Sequence, residues 1–148
     1  MALCSDPQGA DFGLVQPGNY PMFAAAGEPF TMRWAELVTP DVEAARRFYE
    51  KVFAWRAVEH DGDGSSGADW TAGGEPVAGL ARMDGTWPAQ RPAVWIPHIQ
   101  VTDCDASAAG AAESGGTVVA ARRGPARPPI PLGRPCRSAL RDHDAEMT

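Results

Sequence analysis

Histidine and cysteine are scarce in this chain, three of each among 148 residues, and the scarcity narrows the chemistry open to it. Cys4, Cys104 and Cys136 are scattered and form no CxxC pair. That spacing argues against a disulfide framework and a structural zinc site, and three ordinary reduced thiols are expected. Positive charge is also short. Against 19 Asp and Glu stand 13 Lys and Arg, and the net charge of −6 would repel nucleic-acid phosphate and give no attraction to an anionic membrane. No apolar run is long enough to span a bilayer, and no basic patch followed by an apolar stretch opens the chain. A cytoplasmic location is therefore expected, with no nucleic acid and no membrane as partner, and a small organic molecule is the ligand to look for.

What is present is enough for one domain with a real core: a hydrophobic share of 44% and five Trp in 148 residues. The richest stretch is residues 30–55, FTMRWAELVTPDVEAARRFYEKVFAW. Arg33 to Thr39 reads as a strand, and Asp41, behind Pro40, is placed to cap a helix. Val42, Ala45, Phe48, Tyr49, Val52 and Phe53 then recur at helical spacing and make one apolar face. Phe48 and Tyr49 are core by that spacing. A second strand begins after Phe53-Ala54-Trp55.

The strand, the Asp after it, the FY pair on the helix and the closing FxW resemble the opening of a βαβββ module of the vicinal-oxygen-chelate superfamily, which holds glyoxalases, bleomycin-resistance proteins and extradiol dioxygenases. That family more often has Gly where Ala54 stands. The resemblance implies an α+β fold in which paired βαβββ modules form a curved mixed sheet with helices on its outer face. It implies much less about reaction, because members isomerise, cleave rings, open epoxides or only sequester drugs on one scaffold.

An internal repeat supports the pairing. Val94 to Val101, Asp103, an Ala-rich helix from about Cys104 to Glu113, Gly115-Gly116 and the apolar run Thr117 to Ala121 repeat the first unit. Asp41 and Asp103 fall at matching strand-to-helix junctions, where a carboxylate can accept from free backbone amides. Residues 30–84 are read as the first module, with short strands at Ala68–Ala72 and Pro76–Met83 and a polar turn at Asp61–Gly67. Residues 85–92 form a linker of the kind that lies over a binding cleft. Residues 93–121 begin a second, incomplete module. Residues 1–18 look like the DPxG turn and final strand that end a module, displaced to the front.

After residue 121 the text becomes Arg- and Pro-rich: 122–148 hold six Arg against Asp142, Asp144 and Glu146, and no strand-like alternation. A tail read in a shifted frame in a clipped tandem protein is the favoured account. A permuted domain and a sheet completed by exchange with a second chain are the alternatives, and the last would make the chain a homodimer by strand or module pairing.

For the site, alternation along the first strand sends Trp34, Glu36 and Val38 to one face and Ala35 and Leu37 to the helix-packed face. In the repeat it sends Ile96, His98 and Gln100 to the cleft face, and Trp95 to the packed one. Glu36 and His98 each lie five residues before their Asp, so the pseudo-symmetry of the fold would set them in corresponding places. A carboxylate and an imidazole in one cup could abstract a proton beside a carbonyl, and Glu36 and His98 are the candidate catalytic pair. The plainer reading, with Glu36 solvated at the cleft mouth and His98 a polar lining residue, carries more weight. Trp34, Trp70 and Gln100 are the candidate ligand-binding residues, the indoles giving an aromatic wall for a flat or apolar ligand.

In the metal-dependent members of the resembled superfamily a His stands seven positions before the helix-capping Asp, and a Glu follows DPxG. Here those positions hold Trp34, Ile96 and Gly13. The resemblance thus implies no metal site of the usual kind and no assured cofactor, although a divalent metal stays open. His60 beside Asp61 and Asp63 lacks the spacing of a calcium loop, and His143 reads as solvated. The function expected is metal-free binding of a small organic molecule in a sheet-lined cleft. The alternatives are a glyoxalase-related lyase or dioxygenase-type enzyme using Glu36 and His98, or a truncated product with neither role.

Overall fold

The computed structural model describes residues 1–16, 28–59 and 67–119. His60, most of the polar turn after it and the whole Arg/Pro-rich tail with His143 lie outside the described residues. The chain divides into two compact units, residues 1–100 and 101–148.

The first unit is built on a five-stranded mixed sheet. Its strands are β3 (Met32–Thr39), β4 (Arg56–Glu59), β5 (Gly67–Ala72), β6 (Glu75–Arg82) and β7 (Val94–Ile99), in the order β4-β5-β6-β3-β7. β4, β5 and β6 form an antiparallel meander, β6 returns parallel to β3, and β7 lies antiparallel on the other side of β3. β3, the helix α1 (Val42–Phe53) and β4–β6 thus complete one βαβββ set, with the first strand of the repeat docked beside it. The fold is α+β. A smaller antiparallel ladder, β1 (Ala2–Ser5) with β2 (Asp11–Leu14), precedes the sheet.

Helix α1 forms where its sequence pattern places it. Asp41, extended at φ −128°, accepts from the Ala44 N–H at 3.0 Å and satisfies one of the amides left open at the helix start. Ala54 closes it in the left-handed conformation, φ 55°, its N–H bonded to the Glu50 carbonyl. That conformation favours glycine, which carries no Cβ penalty there. The helix buries Ala45 and Tyr49 and packs Val42, Phe48 and Phe53 at the core margin. Val52, expected on that face, is instead 47% exposed.

The core is an aromatic cluster centred on Tyr49, with Phe12, Phe48, Phe53, Trp55, Trp70 and Trp95 around it at ring separations of 5.0–6.0 Å. The Tyr49 hydroxyl accepts from Trp95 Nε1 at 2.9 Å and donates to Asp6 Oδ2 at 3.2 Å. The other Asp6 oxygen accepts from the Gln8 and Ala10 amides. This carboxylate is only 5% exposed, yet its oxygens are met by three donors, as a buried charge requires. One network therefore joins the amino-terminal turn, α1 and β7.

Helix α2 (Cys104–Glu113), in the second unit, opens as α1 does: Asp103 accepts from the Ala106 N–H at 2.9 Å. Residues 117–119 form no strand, against the expectation for Thr117–Ala121. A β-prone run without a neighbour to bond has nothing to hold it extended, and no described strand pairs with it. Cys4 is a free, half-buried thiol, and Cys136 lies outside the described residues. Among the described residues no helix is long and apolar enough to cross a membrane.

Candidate functional site

The sheet has one face sealed by α1 and the aromatic cluster, and the candidate site lies on the other. Leu37, Ala68, Trp70, Ala78 and Leu80 all belong to the core cluster. Strand alternation consequently turns Glu36, Asp69 and Gly79 the other way. Register places these three in a row across neighbouring strands: Asp69 opposite Gly79, and Gly79 opposite Glu36. On the next strand, Ile96 faces Glu36 and His98 faces Trp34.

The expected pair is brought together. His98 Nε2 lies 3.7 Å from Glu36 Oε2, with side-chain exposures of 48% and 29%. At that separation the contact is an ion pair when the imidazole is protonated and too long for a direct hydrogen bond when it is not. Trp34 lies beside them. A Cβ on Gly79 would fall 2.9 Å from Trp34 Nε1 and 3.1 Å from Glu36 Cγ. The missing side chain at residue 79 is thus what lets the indole settle close to the sheet next to the carboxylate, the use that a glycine inside a strand often has.

Two other expected site residues are placed differently. Trp70 is fully buried, its ring 5.5 Å from Tyr49 and 6.1 Å from Trp55, so it is core and not a wall of the cleft. The physical reason is parity: Trp70 shares the face of Leu80 and Leu37, and its neighbour Asp69 takes the opposite face. Gln100 stands just past β7, where its main chain bonds Phe30 and Thr31 at the rim. Trp95 packs inward as expected. Sequence reasoning does not single out Asp69 and Gly79; a mid-strand glycine is the available signal for one, and pairing register is the missing signal for the other.

The set does not fit a metal of the kind the superfamily uses. Trp34 and Ile96, at the two ligand positions of the first strands, carry no donor, and no three His, Cys, Asp or Glu side chains converge among the described residues. Residues 88–95 meet the Gly9–Asp11 turn around an open depression of about 720 Å³ that neither Glu36 nor His98 lines.

A family model described as "Glyoxalase-like domain" matches residues 34–143, which is most of the chain. The chain belongs to this glyoxalase-like family. Within it, the sequence is 36% identical over 118 residues to the anthracycline biosynthesis protein DauV of Streptomyces sp. (strain C5), covering 80% of this chain and 42% of DauV. It is as similar to the anthracycline biosynthesis protein DnrV of Streptomyces peucetius, again 36% over 118 residues with the same coverage. The putative glyoxylase CFP32 of Mycobacterium tuberculosis is 34% identical over 91 residues, 60% of this chain and 35% of that protein. The glyoxalase-like chain thus spans about two fifths of the length of the two Streptomyces relatives.

Proposed function

We propose that this glyoxalase-like chain binds a small, flat organic molecule on the face of its sheet that carries Trp34, Glu36 and His98, without a metal centre, in the manner of drug-sequestering bleomycin-resistance proteins. The observation that carries the reading is Trp34, seated over Gly79 beside Glu36 and His98 on a face whose opposite side is closed by the core. An indole held against a sheet offers a flat apolar surface with polar groups at its edge, the composition of most small-molecule sites. A cytoplasmic setting and pairing with a second copy through a sheet edge go with this reading.

The relatives named for anthracycline biosynthesis support testing an anthracycline first. Titration should quench tryptophan fluorescence saturably, Trp34→Ala should weaken binding by about tenfold, in keeping with the loss of one aromatic contact, and EDTA should change nothing. Binding that disappears with chelator, or that is indifferent to Trp34, would sink the proposal.

A second reading rests on the 3.7 Å approach of His98 to Glu36. On it, Glu36 takes a proton from a carbon next to a ligand carbonyl and His98, when protonated, stabilises the carboxylate and the developing oxyanion. Glu36→Gln and His98→Ala would then each abolish proton exchange from a bound ketone, followed by deuterium incorporation, with binding retained. Unchanged exchange in both variants would leave only the binding role.

A further inference from the structure

The start of β3 contains an extra residue that re-aims one side chain. Met32 pairs with Ile99 and Trp34 with His98, so two residues on β3, Arg33 and Trp34, face one on β7. This is a β-bulge, the device that turns a side chain to a face where strict alternation would not put it, and bulges are frequent beside functional sites. Without the bulge, Arg33 would share the face of Ala35 and Leu37 and point its guanidinium at the aromatic core. Arg33 is instead exposed, and none of the ion pairs among the described residues includes it.

A second irregularity lies just before. Phe30 donates its N–H to the Gln100 carbonyl at 2.7 Å while Gln100 donates to Thr31 at 2.9 Å, so Phe30 and Thr31 together face Gln100. Phe30 sits at φ 66°, in the region that favours glycine, and the residue is 74% exposed. A bulky residue held there is strained by about 1–2 kcal/mol. Strain of this sort gathers at ligand clamps and switch regions. Two consecutive bulges therefore shape the start of β3 beside Trp34, where a regular strand would have run straight.

We propose that Arg33 is the anion-recognition residue of this site and takes a carboxylate of the bound ligand. The inference rests on the ligand-binding reading above and adds the polarity of the ligand to it. Glu36 and Asp69 stand in the row through Gly79, and the exposed Arg33 stands at the bulge three residues up β3 from Glu36, roughly 10 Å at strand rise. That span matches a fused bicyclic ring with its acid at one end. The planar body then rests on Trp34, and the carboxylate meets the guanidinium, whose fork can form two parallel hydrogen bonds to it.

The test compares a naphthoate with its methyl ester, same ring system and no charge, by fluorescence titration of the whole chain and its Arg33→Ala and Arg33→Lys variants. The native chain is expected to prefer the acid by about tenfold or more, the worth of a charge-assisted pair. Arg33→Ala should erase the preference while leaving ester affinity unchanged, which also shows that the variant is folded. Arg33→Lys should restore part of it. Equal binding of acid and ester by the native chain, or a preference that survives in Arg33→Ala, would overturn the inference and leave the binding reading standing. If neither compound binds, the binding reading fails and the role of Arg33 fails with it.

Discussion

Ala54 and Phe30 are the non-glycine residues with positive φ among the described residues, and they call for opposite treatment. Ala54 only ends a helix, so Ala54→Gly should stabilise the chain by about 1 kcal/mol, read as a higher urea midpoint. Phe30 is exposed at the rim of the site, where relief of strain would be expected to cost ligand affinity. Gly79→Ala is the sharper test of the site itself. The new methyl would meet Trp34 Nε1 at 2.9 Å and Glu36 Cγ at 3.1 Å, so the indole must leave its seat. Altered tryptophan emission and weaker ligand binding, with little change in melting temperature, are expected; unchanged emission and binding would show that the indole does not depend on that gap. At this scale Trp34, Glu36 and His98 are legible in the sequence because alternation on two long strands is unambiguous. Trp70 is not, because a short strand can face either way until its partner is known. Arg33 is hidden more deeply, since a bulge inserts a residue without leaving a mark in hydrophobic periodicity.

Among the elements, α1 and α2 are the most legible, each announced by an Asp before an apolar or Ala-rich run, and both carboxylates do cap. Asp41→Ala should therefore cost about 1 kcal/mol of stability, measured by thermal or urea unfolding, and Asp41→Asn much less. β1 is invisible to sequence reasoning: Ala2–Ser5 is too short and too exposed to show a pattern, and only its pairing with Asp11–Leu14 makes it a strand. β7 has a property that its sequence states plainly. Gln100 bonds inward to the segment before β3, and Ala93 donates its N–H to the Gln8 carbonyl, so alternate residues of β7 bond inward to β3 and outward past the sheet edge. Pro97 falls in the outward set and has no N–H to offer, which blunts the edge against a further strand. Pro97→Val should increase self-association, seen as a shift to faster species in sedimentation velocity; no shift would mean that β7 is not the edge through which copies would pair.

For the molecule as a whole, the buried hydroxyl of Tyr49 sets a limit at high pH. Burial, with smaller contributions from the neighbouring Asp6 charge and hydrogen bond, pushes its ionisation far above the ordinary tyrosine value of 10.0, against a modest opposing pull from Trp95. The folded state thus holds this proton more tightly than the unfolded one. Its contribution to stability is full below about pH 10 and is lost as pH rises beyond it, because the unfolded chain then ionises and the folded chain does not. The melting temperature should fall above pH 10, less steeply in Tyr49→Phe, although that variant should be less stable at neutral pH by about 1–3 kcal/mol for the unpaired partners. Gln8 has a related consequence in time rather than in pH. Its side chain accepts from Thr39 Oγ1 and the Asp41 N–H and donates to the Asp41 carbonyl, while its carbonyl accepts from Ala93. A single residue near the amino terminus thus fastens the strand-to-helix junction of β3 and the start of β7, segments far apart along the chain. Transient detachment of the first turn would release both fastenings at once, so the amide protons of Asp41 and Ala93 should exchange with deuterium at a common rate, as members of one opening event.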